Sequence, residues 1–334
     1  MRKLATIRLI AEIKEIPDAD TIEAVRVDGW WCVVKKNEFK INDLCVYFEV
    51  DSFLPVRPEF EFLRKSCFRS TMNLGDGFRL KTIRMKKQIS QGLIISLSIL
   101  DEYDIDSLIE YLDVTEIFGV KKWEIPISAQ LSGIAKGDFP SFIRKTDQER
   151  IQNLYFDLVK THKDVVFERT LKLDGSSMTV YFNNGQFGVC SRNLELKERE
   201  ENTYWKVARE LNLEEKLRKY GKNIALQGEL MGPGIQGNRE CLTNHEFLLF
   251  DIWNIDDNKY MSERERSLLC EVLKIRQIDL IDYVYPFEKT LEELIEMSDR
   301  KSIFNDIAEG IVYKSMDGTT SFKVINNKFL LREK

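Results

Sequence analysis

The sequence predicts an α+β protein in which an N-terminal β-barrel precedes a domain of antiparallel sheets with flanking helices. Three observations support this fold class. Short apolar segments separated by turn residues follow one another through roughly the first 100 residues. Strand-like and helix-like segments then alternate from Thr146 to Leu331. No internal repeat or low-complexity tract interrupts either part, so the two patterns predict two different domains.

The barrel prediction rests on its turns. Asp28-Gly29 separates the apolar segments 22–27 and 30–34, a pattern typical of a two-residue β-hairpin. Further apolar segments, at 44–50, 78–84 and 93–97, each follow a turn. Several short strands at regular spacing are typical of a small closed barrel and favour an OB-fold.

The predicted domain limits follow from changes in composition. We assign residues 1–115 to the OB-fold domain, 116–139 to a linker containing Gly, Pro and Ser, and 140–334 to the second domain. A helix start is predicted at 146–150, where Thr146 or Asp147 would cap a helix with acidic residues in its first turn.

Composition limits the kind of protein and the chemistry available to it. With 43% hydrophobic and 31% charged residues the chain is typical of a globular protein, and the lack of a signal-peptide pattern predicts an intracellular one. The six cysteines form no C-x-x-C pair and are expected to be reduced core residues. His162 and His245, the only histidines, lack ligand spacing. The chemistry is therefore expected to use Lys, Arg and carboxylates.

The net charge of −5 argues against a uniformly basic nucleic-acid-binding surface. It leaves room for a local one. The segment 81–87, with two lysines at its end, is a candidate basic strip, and a solvated strand edge explains it equally well.

A candidate nucleophile lies in the segment Leu171-Lys172-Leu173-Asp174-Gly175. Two leucines flank Lys172, and partial desolvation by them would lower the pKa of its amine. The Asp174-Gly175 turn would bring a carboxylate close to that amine. A lysine must lose its proton before it attacks, so a lowered pKa suits a nucleophile. The K-x-D-G pattern alone is weak, because a surface lysine beside a turn also matches it.

Several later segments place one charged residue at the end of an apolar strand. Each has an ordinary explanation, such as a solvated acid at a turn, but their order along the chain is informative. They centre on Arg192, Glu229, Phe250 with Asp251, Glu309 and Lys323.

With Lys172, these segments resemble the six collinear motifs of the covalent nucleotidyltransferase superfamily of ligases and capping enzymes. Matches outside the motifs, such as 89–93 and 145–152, are similar to the Naegleria-type branch of RNA ligases, which carries its OB domain at the N-terminus. The resemblance spans nearly the whole chain. It implies an ATP-dependent RNA ligase that adenylylates itself, transfers AMP to a 5′-phosphate end and joins that end to a 3′-hydroxyl.

The resemblance also implies a role for each site residue. Lys172 would be the nucleophile, and Lys323 would contact the α-phosphate of ATP. Phe250 would stack on adenine, and Arg192 would serve the sugar or the substrate end. Glu229 would bind the ribose or the hydration shell of a metal. Mg²⁺ or Mn²⁺ would be held, mainly through water, by Asp174, Glu229, Asp251 and Glu309. We expect a monomer acting on nicked duplex RNA.

Two alternatives stay open at this point. A DNA ligase would have arginine where this chain has Ser177, and both DNA ligases and guanylyltransferases carry a further domain after the last motif. A nonenzymatic OB-fold nucleic-acid-binding protein would not need Lys172 and the carboxylates.

One position departs from the family pattern. Related ligases often have a second lysine two residues after Lys323, where this chain has Ile325. Lys328 lies close in sequence and is a candidate replacement, although its spacing points it to the other face of a regular strand.

Overall fold

The computed structural model describes residues 2–103, 107–123 and 133–332. The chain divides into two compact units, of which the first comprises Met1–Pro126, Gln152–Phe156 and Leu330–Lys334 and the second comprises Ile127–Ile151 and Asp157–Phe329. The predicted limits at 115 and 140 remain predictions, and residues 124–132 of the predicted linker lie outside the described residues. No helix in the described ranges has both the length and the apolar character needed to cross a membrane.

The first unit is built from short antiparallel strands. Their pairing orders are β1-β5-β11, β2-β3-β4, β12-β6-β8-β7 and β9-β10. In chain order β1 to β12 are Ala5–Leu9, Glu12–Glu15, Ile22–Val27, Trp30–Lys35, Leu44–Phe48, Ser52–Pro55, Phe68–Thr71, Gly75–Arg79, Ile83–Met85, Gln88–Ser90, Leu93–Ser96 and Lys121–Lys122. Helices α1 and α2 are Arg64–Cys67 and Thr115–Phe118, and two 3₁₀ turns are Pro58–Leu63 and Leu97–Leu100.

The hairpin predicted on Asp28-Gly29 is confirmed. Val27 pairs with Trp30 across a two-residue loop, and Trp30 is fully buried. Aromatic side chains fill the barrel interior, where the rings of Phe48, Phe60 and Phe118 pack edge to face. Aromatic burial on this scale is a major source of stability for a small barrel.

The second unit contains two sheets and most of the helices. The pairing orders are β13-β18-β17-β16-β19-β20-β21 and β14-β24-β23-β15-β22. Strands β13 to β24 are Ala135–Asp138, Glu149–Arg150, Phe167–Lys172, Ser176–Asn183, Gln186–Cys190, Leu194–Leu196, Ile224–Met231, Glu246–Asn254, Lys259–Tyr260, Leu280–Val284, Gly310–Ser315 and Ser321–Ile325. Helices α3 to α8 are Ile151–Thr161, Thr203–Glu210, Leu213–Tyr220, Glu263–Leu273, Leu291–Met297 and Asn327–Leu330, with a 3₁₀ turn at Pro286–Glu288. Of these, α3 and α8 each have residues in both units.

The predicted helix start at 146–150 is wrong. Glu149–Arg150 forms β14, which pairs in parallel with β24, and the helix begins only at Ile151. Arg150 occupies the N-cap position without a side-chain cap bond. Pairing with a strand more than 170 residues away therefore overrides the local capping pattern.

The cysteine prediction holds for most positions. All six cysteines lie in the described ranges and none is in a disulfide. Cys32, Cys45, Cys190 and Cys270 are buried, whereas Cys67 is partly exposed and Cys241 is exposed on the loop between β19 and β20.

Candidate active site

Lys172 is the last residue of β15, where that strand ends beside β23 and Lys172 pairs with Gly310. The following turn lies close against β19. A side chain at Gly175 would place its Cβ 2.5 Å from the carbonyl oxygen of Leu230, so only glycine fits there. Leu173 is buried in an apolar cluster. Close packing of the residues that follow the lysine therefore shapes the K-x-D-G segment.

Three carboxylates interact with the charge of the Lys172 amine. Its Nζ donates a hydrogen bond to Oε2 of Glu309 at 2.7 Å, and Glu229 and Asp174 also stabilise its positive charge. Burial disfavours the charged amine, but the three carboxylates outweigh it and raise the pKa of Lys172. The expectation of a lowered pKa is thus wrong for the free protein, because the flanking leucines are only one part of the environment.

The carboxylates also act on one another. Burial, together with repulsion from Glu309, raises the pKa of Asp174 to about 6. Burial raises the pKa of Glu229 to about 8, opposed by Lys172 and reinforced by Glu309 and Asp174. The carboxyl groups therefore disfavour one another's ionisation, and a further cation at this place would favour their charged forms.

Lys323 lies on β24, where Val312 of β23 and Arg150 of β14 are its strand partners. Burial, with the positive charges of Lys172 and Arg150, lowers the pKa of Lys323 to about 7. Asp147 lies between cations, with its Oδ1 3.9 Å from Nζ of Lys323 and 3.4 Å from Nη2 of Arg192. Arg192 and Lys323 therefore share one carboxylate, that of Asp147.

Phe250 and Asp251 lie at a bulge of β20, where Gln227 pairs with Asp251 and Gly228 with Leu249. Phe250 is partly buried against the apolar cluster that includes Leu173.

Asp251 is engaged elsewhere. Its Oδ1 accepts a hydrogen bond from Nζ of Lys314 at 2.6 Å, and Arg266 lies 4.0 Å from the same oxygen. Arg266 is in turn paired with Glu168 at 2.7 Å. Lys314 stands four residues beyond Gly310 on β23, roughly 13 Å along the strand at its usual rise. The structure does not bring Asp251 into the carboxylate cluster at Lys172.

Arg239 also lies at the site, although no sequence motif predicts it. Its Nη1 donates to Oδ2 of Asp174 at 2.9 Å. The loop that carries it is held in place, because the buried Glu240 accepts hydrogen bonds from Ser302, and Asn305 donates to the Arg239 carbonyl oxygen. Neither Arg239 nor Lys314 could be found from the local sequence, since each is brought in by a distant segment.

The position two residues after Lys323 holds a buried apolar side chain in the structure. Ile325 is 3% exposed and ends β24. The chain then turns into α8, and Nζ of Lys328 lies 2.5 Å from Oδ2 of Asp299 in a surface ion pair. Lys328 is thus already paired with a carboxylate.

A divalent metal fits this site only as a hydrated ion. Within residues 2–103, 107–123 and 133–332, no group of three or more His, Cys, Asp or Glu side chains could hold a metal ion. Closely placed carboxyl groups whose pKa values are raised nevertheless suit Mg²⁺ or Mn²⁺ that keeps most of its water, because a cation favours their ionised forms.

Comparison with known proteins identifies the family and the fold. An OB-fold domain model matches residues 4–97 and an RNA ligase model matches residues 165–325. A variant of Naegleria gruberi RNA ligase without ligand is 42% identical, with 98% of this chain and 97% of that chain covered and a TM-score of 0.90. The chain belongs to the RNA ligase family. The predicted fold, an N-terminal OB-fold domain followed by an antiparallel-sheet domain with helices, is confirmed.

Two further structures of the Naegleria RNA ligase show which ligands that enzyme binds. A variant with ATP and Mn is 42% identical, covers 99% of both chains and has a TM-score of 0.93. The enzyme with PPi is 43% identical, covers 99% of this RNA ligase and 98% of that chain, and has a TM-score of 0.89. A comparison with curated proteins gave no significant match.

Proposed function

We propose that this RNA ligase uses ATP and a divalent metal to join 3′-hydroxyl and 5′-phosphate RNA ends through a covalent lysyl-AMP on Lys172. The observation that carries the proposal is the position of Lys172. Its amine is held by Glu309 within a carboxylate cluster, and its positive charge lies close enough to Lys323 to help lower the pKa of that second lysine. The ATP-bound and PPi-bound Naegleria structures support ATP as the nucleotide.

The first step forms a bond between Nζ of Lys172 and the α-phosphorus of ATP. The bond from that phosphorus to the bridging oxygen breaks, and pyrophosphate leaves. Nζ must lose a proton beforehand, and Glu309 is already its hydrogen-bond acceptor. Lys323 stabilises the negative charge that develops on the α-phosphate oxygens, with Arg150 adding positive charge from the neighbouring strand.

The next steps transfer AMP and seal the RNA. An oxygen of the 5′-phosphate end attacks the lysyl-AMP phosphorus, the P–N bond breaks, and Lys172 recovers its amine. The 3′-hydroxyl then attacks the 5′-phosphate phosphorus and AMP leaves. These displacements depend on positioning and charge neutralisation more than on a strong general base.

Other residues have supporting roles in the proposal. Phe250 stacks on adenine, Arg192 contacts the sugar or the substrate end, and Glu229 binds the ribose or the metal hydration shell. Asp174, Glu229 and Glu309 hold the metal through water. Bound there, Mg²⁺ or Mn²⁺ would neutralise phosphate charge and favour the neutral lysine amine. Asp251 is better explained by its ion pair with Lys314.

The nucleophile is tested by labelling. Incubation with α-³²P-ATP and metal should leave label on the denatured wild-type protein, whereas α-³²P-GTP should not. Lys172→Ala should remain unlabelled, and equal labelling of that variant would end the assignment.

The substrate proposal is tested with defined RNA ends. We expect a monomer that seals a nicked duplex faster than single strands, and the adenylylated 5′ end should accumulate when the 3′-hydroxyl is replaced by hydrogen. Light scattering gives the oligomeric state. Sealing that occurs only on DNA nicks would contradict the RNA assignment.

A further inference from the structure

The hairpin formed by β9 and β10, residues 83–90, presents positive charge that the proposed chemistry does not use. Its two strands pair only with each other, and Gln88 pairs with Met85 across the two-residue loop Lys86-Lys87. No acidic residue stands between Asp76 and Asp101 in the sequence, whereas the whole chain carries a net charge of −5. Cations are therefore concentrated in this segment of an acidic protein.

The loop has an unfavourable sequence for its shape. Lys86 and Lys87 have φ values of 46° and 71°, so both occupy the left-handed region. Two-residue hairpin loops of this kind strongly prefer Asn-Gly, because a side chain is sterically disfavoured there. The loop between β16 and β17 in this same protein follows that preference with Asn184-Gly185, at 49° and 82°. Two lysines at the tip therefore make this loop less stable than an Asn-Gly sequence would.

The tip lysines are exposed and unpaired within the described residues. Residues 83–87 are exposed, and among the described residues neither the Lys86 nor the Lys87 ammonium group has a hydrogen bond or ion pair. The Arg84 guanidinium is equally unpartnered in the described part of the chain. Hydrogen bonding and ion pairing within the described part of the chain therefore do not explain these charges.

The base of the hairpin is fixed. The backbone N–H of Val33 donates to Oγ of Ser90 at 3.0 Å, and that of Gln91 donates to the carbonyl oxygen of Trp31 at 2.8 Å. The Gln91 side chain also donates to Oγ1 of Thr82 at 3.2 Å. The tip is consequently carried on an anchored support, which reduces the conformational entropy lost when it binds a ligand.

We propose that this hairpin is an RNA-binding element whose tip lysines contact two backbone phosphates of the RNA substrate. The proposal rests on the RNA ligase function and names a contact surface for its substrate. Lysines at two consecutive positions of the tip, without base-reading side chains there, suit phosphates and not a particular sequence. Exposed Ile83 and Met85, 40% and 37% accessible, lie on the strand that leads to the tip and offer apolar contact to sugar or base.

The decisive variant is Lys86→Asn with Lys87→Gly, because it removes both charges and installs the residues that this loop prefers. The variant should fold at least as stably as the wild type. RNA affinity is measured by fluorescence anisotropy over a range of salt concentrations, without ATP or metal so that no reaction occurs. We expect the slope of log affinity against log salt to become shallower by about 1.4 for single-stranded RNA and about 1.8 for duplex, the values for two lost phosphate contacts.

Two controls separate charge, turn shape and chemistry. Lys86→Arg with Lys87→Arg keeps the charge and should keep the slope. Lys40→Gln with Lys65→Gln changes the net charge equally at other exposed positions of the first unit and should also keep it. Self-adenylylation of the Asn-Gly variant should equal that of the wild type. Failure of both proteins to form lysyl-AMP would contradict the proposed function, whereas RNA binding by the hairpin is judged separately from the salt slope.

An unchanged salt slope in the Asn-Gly variant would overturn the proposal, including the case in which the hairpin binds a protein instead. An equal loss of slope in the Lys40 and Lys65 control would also overturn it, since the effect would then reflect net charge alone. Weakened ATP affinity with unchanged RNA affinity would assign the lysines to free nucleotide phosphate.

Discussion

Lys172 and Glu309 form a hydrogen-bonded ion pair, with Nζ 2.7 Å from Oε2. Glu229 and Asp174 add to the stabilisation of the same ammonium group. In the free protein the proposed nucleophile is therefore also the counter-cation of the carboxylate cluster that is proposed to hold a hydrated metal. Metal binding and loss of the lysine charge should consequently favour each other.

Lys172→Met should make the stability of the protein more dependent on metal than it is in the wild type. Without the ammonium group, Asp174, Glu229 and Glu309 repel one another, so Mn²⁺ should raise the melting temperature more in the variant. Thermal denaturation with and without Mn²⁺, in the absence of ATP, measures the difference. Lys314→Met is the matched control, because Lys314 pairs with Asp251 instead. A larger Mn²⁺ effect in Lys314→Met would locate the metal at Asp251.

Arg239→Gln should strengthen metal binding in the absence of nucleotide. The Arg239 guanidinium lies 2.9 Å from Asp174 and competes with any cation for that carboxylate. Because the arginine side chain is 44% exposed, we expect a gain of only a few-fold, roughly the scale of a surface ion pair. Titration of Mn²⁺ by electron paramagnetic resonance measures it, with Arg276→Gln, half exposed and paired to Glu246, as the control. Weaker Mn²⁺ binding in Arg239→Gln would show that the arginine supports the site.

The parts of this structure that sequence could predict are those with local causes. The Asp28-Gly29 turn fixes its hairpin by backbone geometry and is found as predicted, and Asn184-Gly185 forms a turn with the same local cause. Glycine is required at position 175 because β19 approaches the chain closely there. Its position in the K-x-D-G pattern makes this glycine recognisable from the sequence.

The parts that sequence could not predict depend on strand pairing between distant segments. The leucines on either side of Lys172 in the sequence predict a lowered pKa. The carboxylates that instead raise this pKa are mainly Glu229 on β19 and Glu309 immediately before β23, which are distant in sequence. Arg150 reaches Lys323 through a parallel pairing that no local pattern indicates. Asp251 has the motif position of a metal contact, yet Lys314 and Arg266 occupy its carboxylate.

Asp251→Asn should act mainly on stability. Asp251, Lys314, Arg266 and Glu168 form a buried network in which two acids balance two bases. Removing one carboxylate leaves a buried positive charge unbalanced, which typically costs about 3–5 kcal/mol. Urea unfolding should show this loss, and Asp251→Leu combined with Lys314→Met should recover much of it. An unfolding free energy close to that of the wild type, together with a raised Mn²⁺ requirement for adenylylation, would return Asp251 to the metal site.

Lys323 should take up a proton when nucleotide binds. Burial, with Lys172 and Arg150 nearby, holds its pKa at about 7, so at pH 8 the side chain is mostly neutral in the free protein. An α-phosphate placed beside Lys323 raises that pKa, because a negative charge favours the ammonium form, and the uptake at pH 8 approaches roughly 0.9 proton. Calorimetric titration with α,β-methylene-ATP, which cannot transfer AMP, measures the uptake when repeated in buffers of different ionisation enthalpy.

Lys323→Met provides the comparison for that measurement, since proton release from the nucleotide itself is common to both proteins and cancels. The uptake should disappear in the variant, and it should persist in Lys328→Met, whose lysine is exposed and paired with Asp299. With ATP, single-turnover adenylylation by Lys323→Met should be slower by about 10²–10³, the scale for loss of one preorganised charge contact. If Lys328→Met instead abolishes the uptake and slows adenylylation as much, Lys328 leaves Asp299 to bind the phosphate, and it replaces the second lysine that is absent at Ile325. Equal proton uptake in all three proteins would remove Lys323 from the α-phosphate.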